Sequence, residues 1–448
     1  MDIKIWKNLG AAEKQRLLSR SETDIGEAAD TVRPIIDAVK NRGDEALREY
    51  TLKFDGADLR AMPLAARAED YEEAEKSLSQ EVKEALEYAI DNVIAFHDFQ
   101  RPGPMSFAEI RPGLFAGERP LPIPSAGLYV PRGRGSFPSM LYMLAVPALV
   151  AGVKQIRIVT PPNPDGSIDA ACLYAAKILS SWAAARGGAE SALEVFRVGG
   201  AQAVAALAYG TETLGRVVKI VGPGSRYVTA AKRLLAPVID TGLPAGPSES
   251  IVLADGTTDP RLVAADLLIE AEHGSDSSAL LVTPDEKTAR AAADILPRLI
   301  AELPEPRRTF AGDVFSGYGG LILAQDMREA AFIVNSFAPE HLQIHSARPL
   351  ELLPFITNAG EILLGETTPF SLANYACGAN AVLPTGGKAV SFSAVSARDF
   401  IKYSSVVHVT REGFSRLQGR VSTLAEYEGF TAHAQALKKR GPDGGFAG

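Results

Sequence analysis

Between Gly127 and Val221 short β-rich runs alternate with apolar helical stretches, and this alternation narrows the fold more than any other feature of the chain. Gly127-Leu128-Tyr129-Val130-Pro131 leads into an apolar helix around Met140 to Ala151, and Ile156 to Thr160 follows as a strand. A helix from about Ile168 to Arg186 precedes the strand Leu193 to Val198, which ends in Gly199-Gly200 and enters a helix at Ala201-Gln202-Ala203-Val204. A further strand, Val217 to Val221, ends in Gly222-Pro223-Gly224 and enters a helix near Ser225. Such a pattern predicts a parallel sheet covered on both faces, with ligands gathered at the carboxyl ends of the strands. Free N–H groups at the two glycine-to-helix junctions would suit a phosphate. Neither junction has the G-x-G-x-x-G spacing, so packing alone would explain them equally well.

The turn-rich Pro244-Ala245-Gly246-Pro247-Ser248-Glu249 marks a crossing into a second α/β unit. Its strands are predicted at Ile251–Ala254, Ala279–Val282, Leu321–Leu323 and Glu361–Leu364, with helices at 286–303 and 327–335. The stretch from about Ile25 to Gln100 reads as helical, with one apolar stripe through Val32, Ile35, Ile36 and Val39 and another through Leu86, Ile90, Val93 and Ile94. The tail beyond about Gly387 is predicted to be helical or irregular.

A chain of 448 residues exceeds one simple core, and about two to four domains are expected. Its net charge of −8 argues against a nucleic-acid-binding surface. No apolar run is long enough to span a bilayer, and the start Met1-Asp2-Ile3-Lys4 lacks a signal-peptide pattern, so no membrane association and a cytoplasmic location are expected. Cys172 and Cys377 alone exclude a disulfide scaffold or a thiolate-rich metal site.

Glu270 and His273 sit three apart near the end of a helical run and share one face, so carboxylate and imidazole could converge on a metal. Two ligands do not complete a zinc site, and a solvated helix end would look the same. Among the six histidines, His97 reads as structural, while His345 and His408 fall in strand-like alternation. Glu340-His341 follows Ala338-Pro339 and opens a new element, where an acid and an imidazole could divide proton transfers. An ordinary charged helix turn is the alternative. His433 stands alone in the tail.

Taken together, the chain resembles the histidinol dehydrogenase family over nearly its whole length. The resemblance is carried by Gly127 to Pro131, Gly199-Gly200-Ala201-Gln202-Ala203, Gly222-Pro223-Gly224, Pro244 to Glu249, Ala271-Glu272-His273-Gly274, Ala338-Pro339-Glu340-His341-Leu342, Val382-Leu383-Pro384-Thr385 and Thr431-Ala432-His433. It implies a zinc-bound, NAD-linked enzyme that oxidises an alcohol twice, through an aldehyde to a carboxylate. In that account His341 and Glu340 are catalytic, with His341 taking the hydroxyl proton and Glu340 activating water. Tyr129, Gln202 and Ser225 match NAD contacts. Ser248, Glu270, His273, His341, Asn374, Glu428 and His433 match substrate contacts, and Glu270, His273, Asn374 and His433 match the metal ligands. Homodimers are also implied, with Glu428 and His433 reaching the partner's site.

The departures are specific. Glu270 stands where the family has a glutamine and Asn374 where it has an aspartate, so carboxylate and amide have changed places with formal charge kept. Phe370 replaces a glutamate, Ala381 a histidine and Ser225 an asparagine. Loss of the acid and the imidazole should weaken recognition of a cationic amino alcohol.

The resulting expectation is an α/β fold of two Rossmann-like parallel-sheet units with a helical N-terminal part and a C-terminal dimerising tail. The boundaries are an N-terminal segment 1–26, a first α/β domain of 27–103 and 245–386 with metal and catalytic residues, an NAD-binding domain 104–244, and a tail 387–448. The expected function is NAD-dependent oxidation of L-histidinol to L-histidine. A paralogue acting on another small polar alcohol is the enzymatic rival, and a catalytically silent nucleotide- or metal-binding relative is the other.

Overall fold

The structure, a computed structural model, describes residues 1–18, 25–132, 135–186, 192–244 and 246–440. Ala245 of the expected turn and the end of the expected tail lie outside the described residues. The chain divides into two compact units, Met1–Arg101 with Ile123–Phe400 and Pro102–Pro122 with Ile401–Gly448.

Thirteen strands occur among the described residues. In chain order they begin with β1 (Ile3–Ile5), β2 (Ser106–Arg111), β3 (Leu114–Pro122), β4 (Ser125–Tyr129), β5 (Gln155–Thr160) and β6 (Ala192–Arg197). They continue with β7 (Ile220–Val221), β8 (Glu249–Ala254), β9 (Ser278–Thr283), β10 (Gly320–Leu323), β11 (His341–His345), β12 (Glu361–Leu364) and β13 (Ile401–Val409).

The first unit holds two wholly parallel sheets. One has the order β6-β5-β4-β7 and the other β1-β10-β9-β8-β11-β12. Apart from β1, which adds to one edge of the larger sheet, each starts in the middle at β4 or β8, winds outward on one side, then returns to the other side of that strand, so winding reverses between β4 and β7 and between β8 and β11. Every residue of β4, β8 and β9 is buried, which is why these strands read as unbroken apolar runs. The helix Pro138–Ala151 is likewise buried all round from Leu141 to Val150.

The N-terminal helices supply cover for the four-stranded sheet. The stripe of Val32, Ile35, Ile36 and Val39 packs in one core with Tyr129, Val204 and Leu207. The second stripe, from Leu86 to Ile94, packs in another with Leu128, Leu141 and Leu173. The six-stranded sheet has its own two cores, one built with the helix Pro260–Ala271 and one with the helix Met327–Phe337.

The second unit is an antiparallel sheet of order β13-β3-β2 with the helices Arg411–Tyr427 and Thr431–Lys438. The expectation of a helical or irregular tail is corrected here, because Ile401–Val409 is a strand paired with β3 along its whole length. Its burial pattern is mostly exposed, so burial imposed no apolar run that could reveal it. No helix among the described residues is long and apolar enough to cross a membrane.

Candidate active site

The carboxylates and imidazoles of the six-stranded sheet meet at the amino ends of its strands. Ser248 precedes β8, Glu340 precedes β11, and His341 and Glu361 are the first residues of β11 and β12. Glu270 and His273 come from the carboxyl end of the helix Pro260–Ala271, which returns the chain toward β9. Ligand gathering at carboxyl ends therefore does not describe this sheet. The helices that leave its opposite edge are capped by Asp259, Asp285 and Asp326, whose side chains already accept the first free N–H groups. The turn into β11 is tightly specified. Ala338 takes a left-handed conformation, with φ of 51°, immediately before Pro339, and a side chain at Gly360 would lie 2.5 Å from the Glu340 carbonyl oxygen.

His341 is buried and its Nδ1 lies 2.5 Å from Glu361 Oε1, its neighbour in the parallel register. A carboxylate accepts, so Nδ1 carries hydrogen and Nε2 is the working nitrogen. That nitrogen faces Glu340 Oε1 at 3.8 Å and Glu270 Oε2 at 3.9 Å. Burial alone would lower the imidazole pKa, but Glu270, Glu340 and Glu361 outweigh it and leave it raised. The Glu340 carboxyl is also raised, chiefly by burial and further by Glu270 and Glu249, against the opposing pull of His341 and of the Glu249 backbone N–H, which donates to Oε2 at 3.0 Å. An acid moved toward neutrality is in the working range of a general base. Burial pushes Glu270 up too, yet His341, His273 and the Asn374 hydrogen bond together bring it below its ordinary value.

Three carboxyl groups around one imidazole make a pocket that favours a cation. Glu270 Oε1 accepts from Asn374 Nδ2 at 2.7 Å, and Glu270 Oε2 is buried without a hydrogen-bond partner. His273 Nε2 lies 3.7 Å from that same oxygen, a separation open to two ligands each about 2 Å from one ion. Ser248 Oγ sits 3.3 Å from His273 Nδ1 and can fix the ring. Glu270, His273 and Asn374 thus come together and fit a metal. No three His, Cys, Asp or Glu side chains among the described residues form a complete metal group. Glu428 and His433 are carried by the second unit, both exposed, with His433 against the Phe430 ring.

Phe370 is fully buried and meets the His341 ring edge-on, 5.7 Å between centroids. Ala381 is partly buried in another core. Glu361 escaped the sequence reading, although a glutamate opening the apolar run Ile362-Leu363-Leu364 was a signal that a charge would be buried there.

The four-stranded sheet presents different chemistry at its carboxyl edge. Tyr129 ends β4 and its hydroxyl accepts from Gly200 N at 2.9 Å. Gln202 is fully buried and neither amide atom has a partner. The helices Gly200–Tyr209 and Arg226–Leu235 begin at Gly199 and Ser225 with no side-chain cap, leaving N–H groups for a ligand. Ser225 is exposed at that cap. Lys232 Nζ donates to Gly222 O at 2.5 Å beside the same edge, and burial lowers its pKa to about 8.

Known proteins are similar to this chain over nearly its whole length. The family model for histidinol dehydrogenase matches residues 18–441. The chain is 48% identical over 433 residues to a histidinol dehydrogenase of Synechocystis sp., covering 97% of each protein. It is 49% identical to a histidinol dehydrogenase homolog of Rhizobium meliloti, covering 96% of this chain and 92% of that one. The crystal structure of histidinol dehydrogenase from Elizabethkingia anophelis superposes with a TM-score of 0.89 at 33% identity, covering 96% of each chain. By its sequence over residues 18–441 and by its fold, the chain belongs to the histidinol dehydrogenase family.

Proposed function

We propose that this oxidoreductase oxidises L-histidinol through L-histidinaldehyde to L-histidine, with NAD as hydride acceptor and zinc at Glu270, His273, Asn374 and His433. The observation that carries the reading is the buried Glu340-His341 pair, its imidazole oriented by Glu361 and its working nitrogen turned toward Glu270. In the first oxidation His341 Nε2 would take the hydroxyl proton; NAD, held at Tyr129, Gln202 and Ser225, would supply the hydride acceptor for each of the two oxidations. In the second, Glu340 would take a proton from the water whose oxygen bonds to the aldehyde carbon. The balance is one water consumed, two NADH formed and three protons released. When bound, zinc would hold and polarise the substrate oxygen.

The four-stranded part, within 104–244, is the Rossmann-like NAD domain of this reading, with Tyr129, Gln202 and Ser225 as cofactor contacts. Residues 245–386 carry the catalytic domain of this reading, the helices of 27–103 grouped with it by sequence pack on the four-stranded sheet instead, 1–26 is an N-terminal segment, and Ser248 a substrate contact. The 387–448 tail serves dimerisation in the cytoplasm, Glu428 and His433 acting on the partner's substrate. Exposed apolar residues of the second unit, among them Ile110, Val407, Leu424 and Tyr427, support a surface covered by a second copy.

Phe370 favours a second reading. An aromatic ring packed on His341, where the family has a glutamate, removes an anion that would meet a substrate ammonium. The same machinery would then oxidise another small polar alcohol. NADH formation with histidinol, run beside amino alcohols and sulfonated diols, separates the two. Absence of turnover on histidinol with clear turnover on another alcohol overturns the first.

A further inference from the structure

We propose that Asp55 is a cofactor-binding residue whose carboxylate accepts hydrogen bonds from ribose hydroxyls of a nicotinamide dinucleotide and selects the form without a ribose phosphate. The proposal rests on the nucleotide reading of the four-stranded sheet and adds to it a residue and a choice between two cofactors.

Asp55 is the last residue of the helix Asp44–Asp55, which Gly56 ends in a left-handed conformation, φ 72°. A carboxylate at that end of a helix opposes the dipole. Its Oδ2 is also buried without a hydrogen-bond partner. Both conditions disfavour the charge, and burial raises the carboxyl to about 6 in spite of Arg132. A group held at such a disadvantage is a candidate for contact with a ligand that supplies the missing donors.

The surroundings place it at the correct edge. Ala46 and Leu47 of its helix share a core with Tyr129, Val159, Phe196 and Ala201, at the ends of β4, β5 and β6 and the start of the next helix. Arg132 ties the segment after β4 to the segment after β5, donating to Pro162 O at 3.0 Å and to Asn163 Oδ1. Asp55 lies within electrostatic reach of both Arg132 and Tyr129.

The unused hydrogen-bonding capacity is then informative. Tyr129 is engaged by Gly200 and Arg132 by the β5 segment, which leaves the Gln202 amide and Asp55 Oδ2 as buried groups without partners. Dinucleotide sheets of this winding commonly read a ribose diol with an acid following the second strand. Here β5 ends in Val159-Thr160-Pro161-Pro162, and the acid of the turn that follows, Asp165, already accepts from Ser167 N and Oγ. Asp55, brought in by the N-terminal helices, supplies the acid from outside the sheet. A carboxylate satisfies two hydroxyl donors and repels a phosphate in the same position.

The test uses the full chain with zinc present. Asp55→Asn and Asp55→Ala are compared with the parent and with Gln202→Ala by NADH fluorescence titration and by KM for NAD and NADP, with thermal unfolding as the folding control. The expected result is NADH affinity weakened about tenfold or more, KM for NAD raised more than kcat is lowered, and preference for NAD over NADP reduced about tenfold in Asp55→Asn. Folded Asp55 variants with unchanged NADH affinity and preference, beside a Gln202→Ala variant that binds weakly, overturn the proposal alone. If Gln202→Ala also binds NADH normally, the nucleotide reading of this edge falls with it.

Discussion

Glu361 Oε1 and His341 Nδ1 stand 2.5 Å apart across neighbouring parallel strands, and this contact leaves Nε2 as the imidazole nitrogen turned toward Glu270 and Glu340. Glu361→Gln keeps the shape and removes the charge, while Glu361→Ala leaves the ring unheld. Both should lower kcat, by about 10- to 100-fold, with the alanine variant lower. Steady-state rates of both variants over a range of pH check this, and an unchanged kcat would remove Glu361 from the machinery.

The Glu270 to Asn374 hydrogen bond joins the two positions at which acid and amide have exchanged. Glu270→Gln should lower zinc retention after dialysis, since the site loses its buried anion, and Glu270→Ala should lower it further. Combining Glu270→Gln with Asn374→Asp restores one carboxylate and one amide, and zinc content should recover. Metal analysis of the three proteins tests the coupling.

The raised pKa values of His341 and Glu340 mean that the metal-free cluster retains protons around neutrality. A cation beside Glu270 reverses that preference, so zinc binding should release protons and apparent zinc affinity should fall as pH falls. Calorimetry in buffers of different ionisation enthalpy measures the release. An affinity independent of pH between about 6 and 8 would contradict it.

Asp55 gives stability a definite slope. Its folded pKa, about 6, lies above its ordinary 3.8, so between these values the folded state binds more protons and stability falls as pH rises. The loss is complete above about 6, with an upper bound of about 3 kcal/mol. Asp55→Asn should therefore gain stability relative to the parent as pH rises from about 4 to 7, read by denaturant unfolding of the cofactor-free protein.

Gly222 has φ of 120°, and a side chain there would lie 2.2 Å from the Tyr129 carbonyl oxygen. Gly222→Ala should cost about 2–4 kcal/mol and weaken NADH binding, because relieving the clash moves β4 from β7 at the cofactor edge. Thermal unfolding and NADH titration give the two readouts.

The parallel sheets were legible because burial on both faces forces unbroken apolar runs, as in Ile251 to Ala254 and Ala279 to Val282. Strand β2 is exposed at every position and β13 at most, so solvent left no periodicity to read. The exchanged pair Glu270 and Asn374, 104 residues apart, was legible through the family resemblance alone. Glu361 was not, since twenty residues separate it from His341 and only strand register brings them together. Asp55 was hidden for a related reason, because it belongs to a helix remote in sequence from the sheet it serves.

The aspartate caps on the helices at the carboxyl edge of the six-stranded sheet act as an electrostatic sorting device. Asp259, Asp285 and Asp326 occupy, with negative charge, the places where a diphosphate would otherwise settle. The uncapped starts at Gly199 and Ser225 carry no such occupant. On the proposed nucleotide reading, the two sheets of the same winding would therefore not compete for one anion, even in a chain of net charge −8.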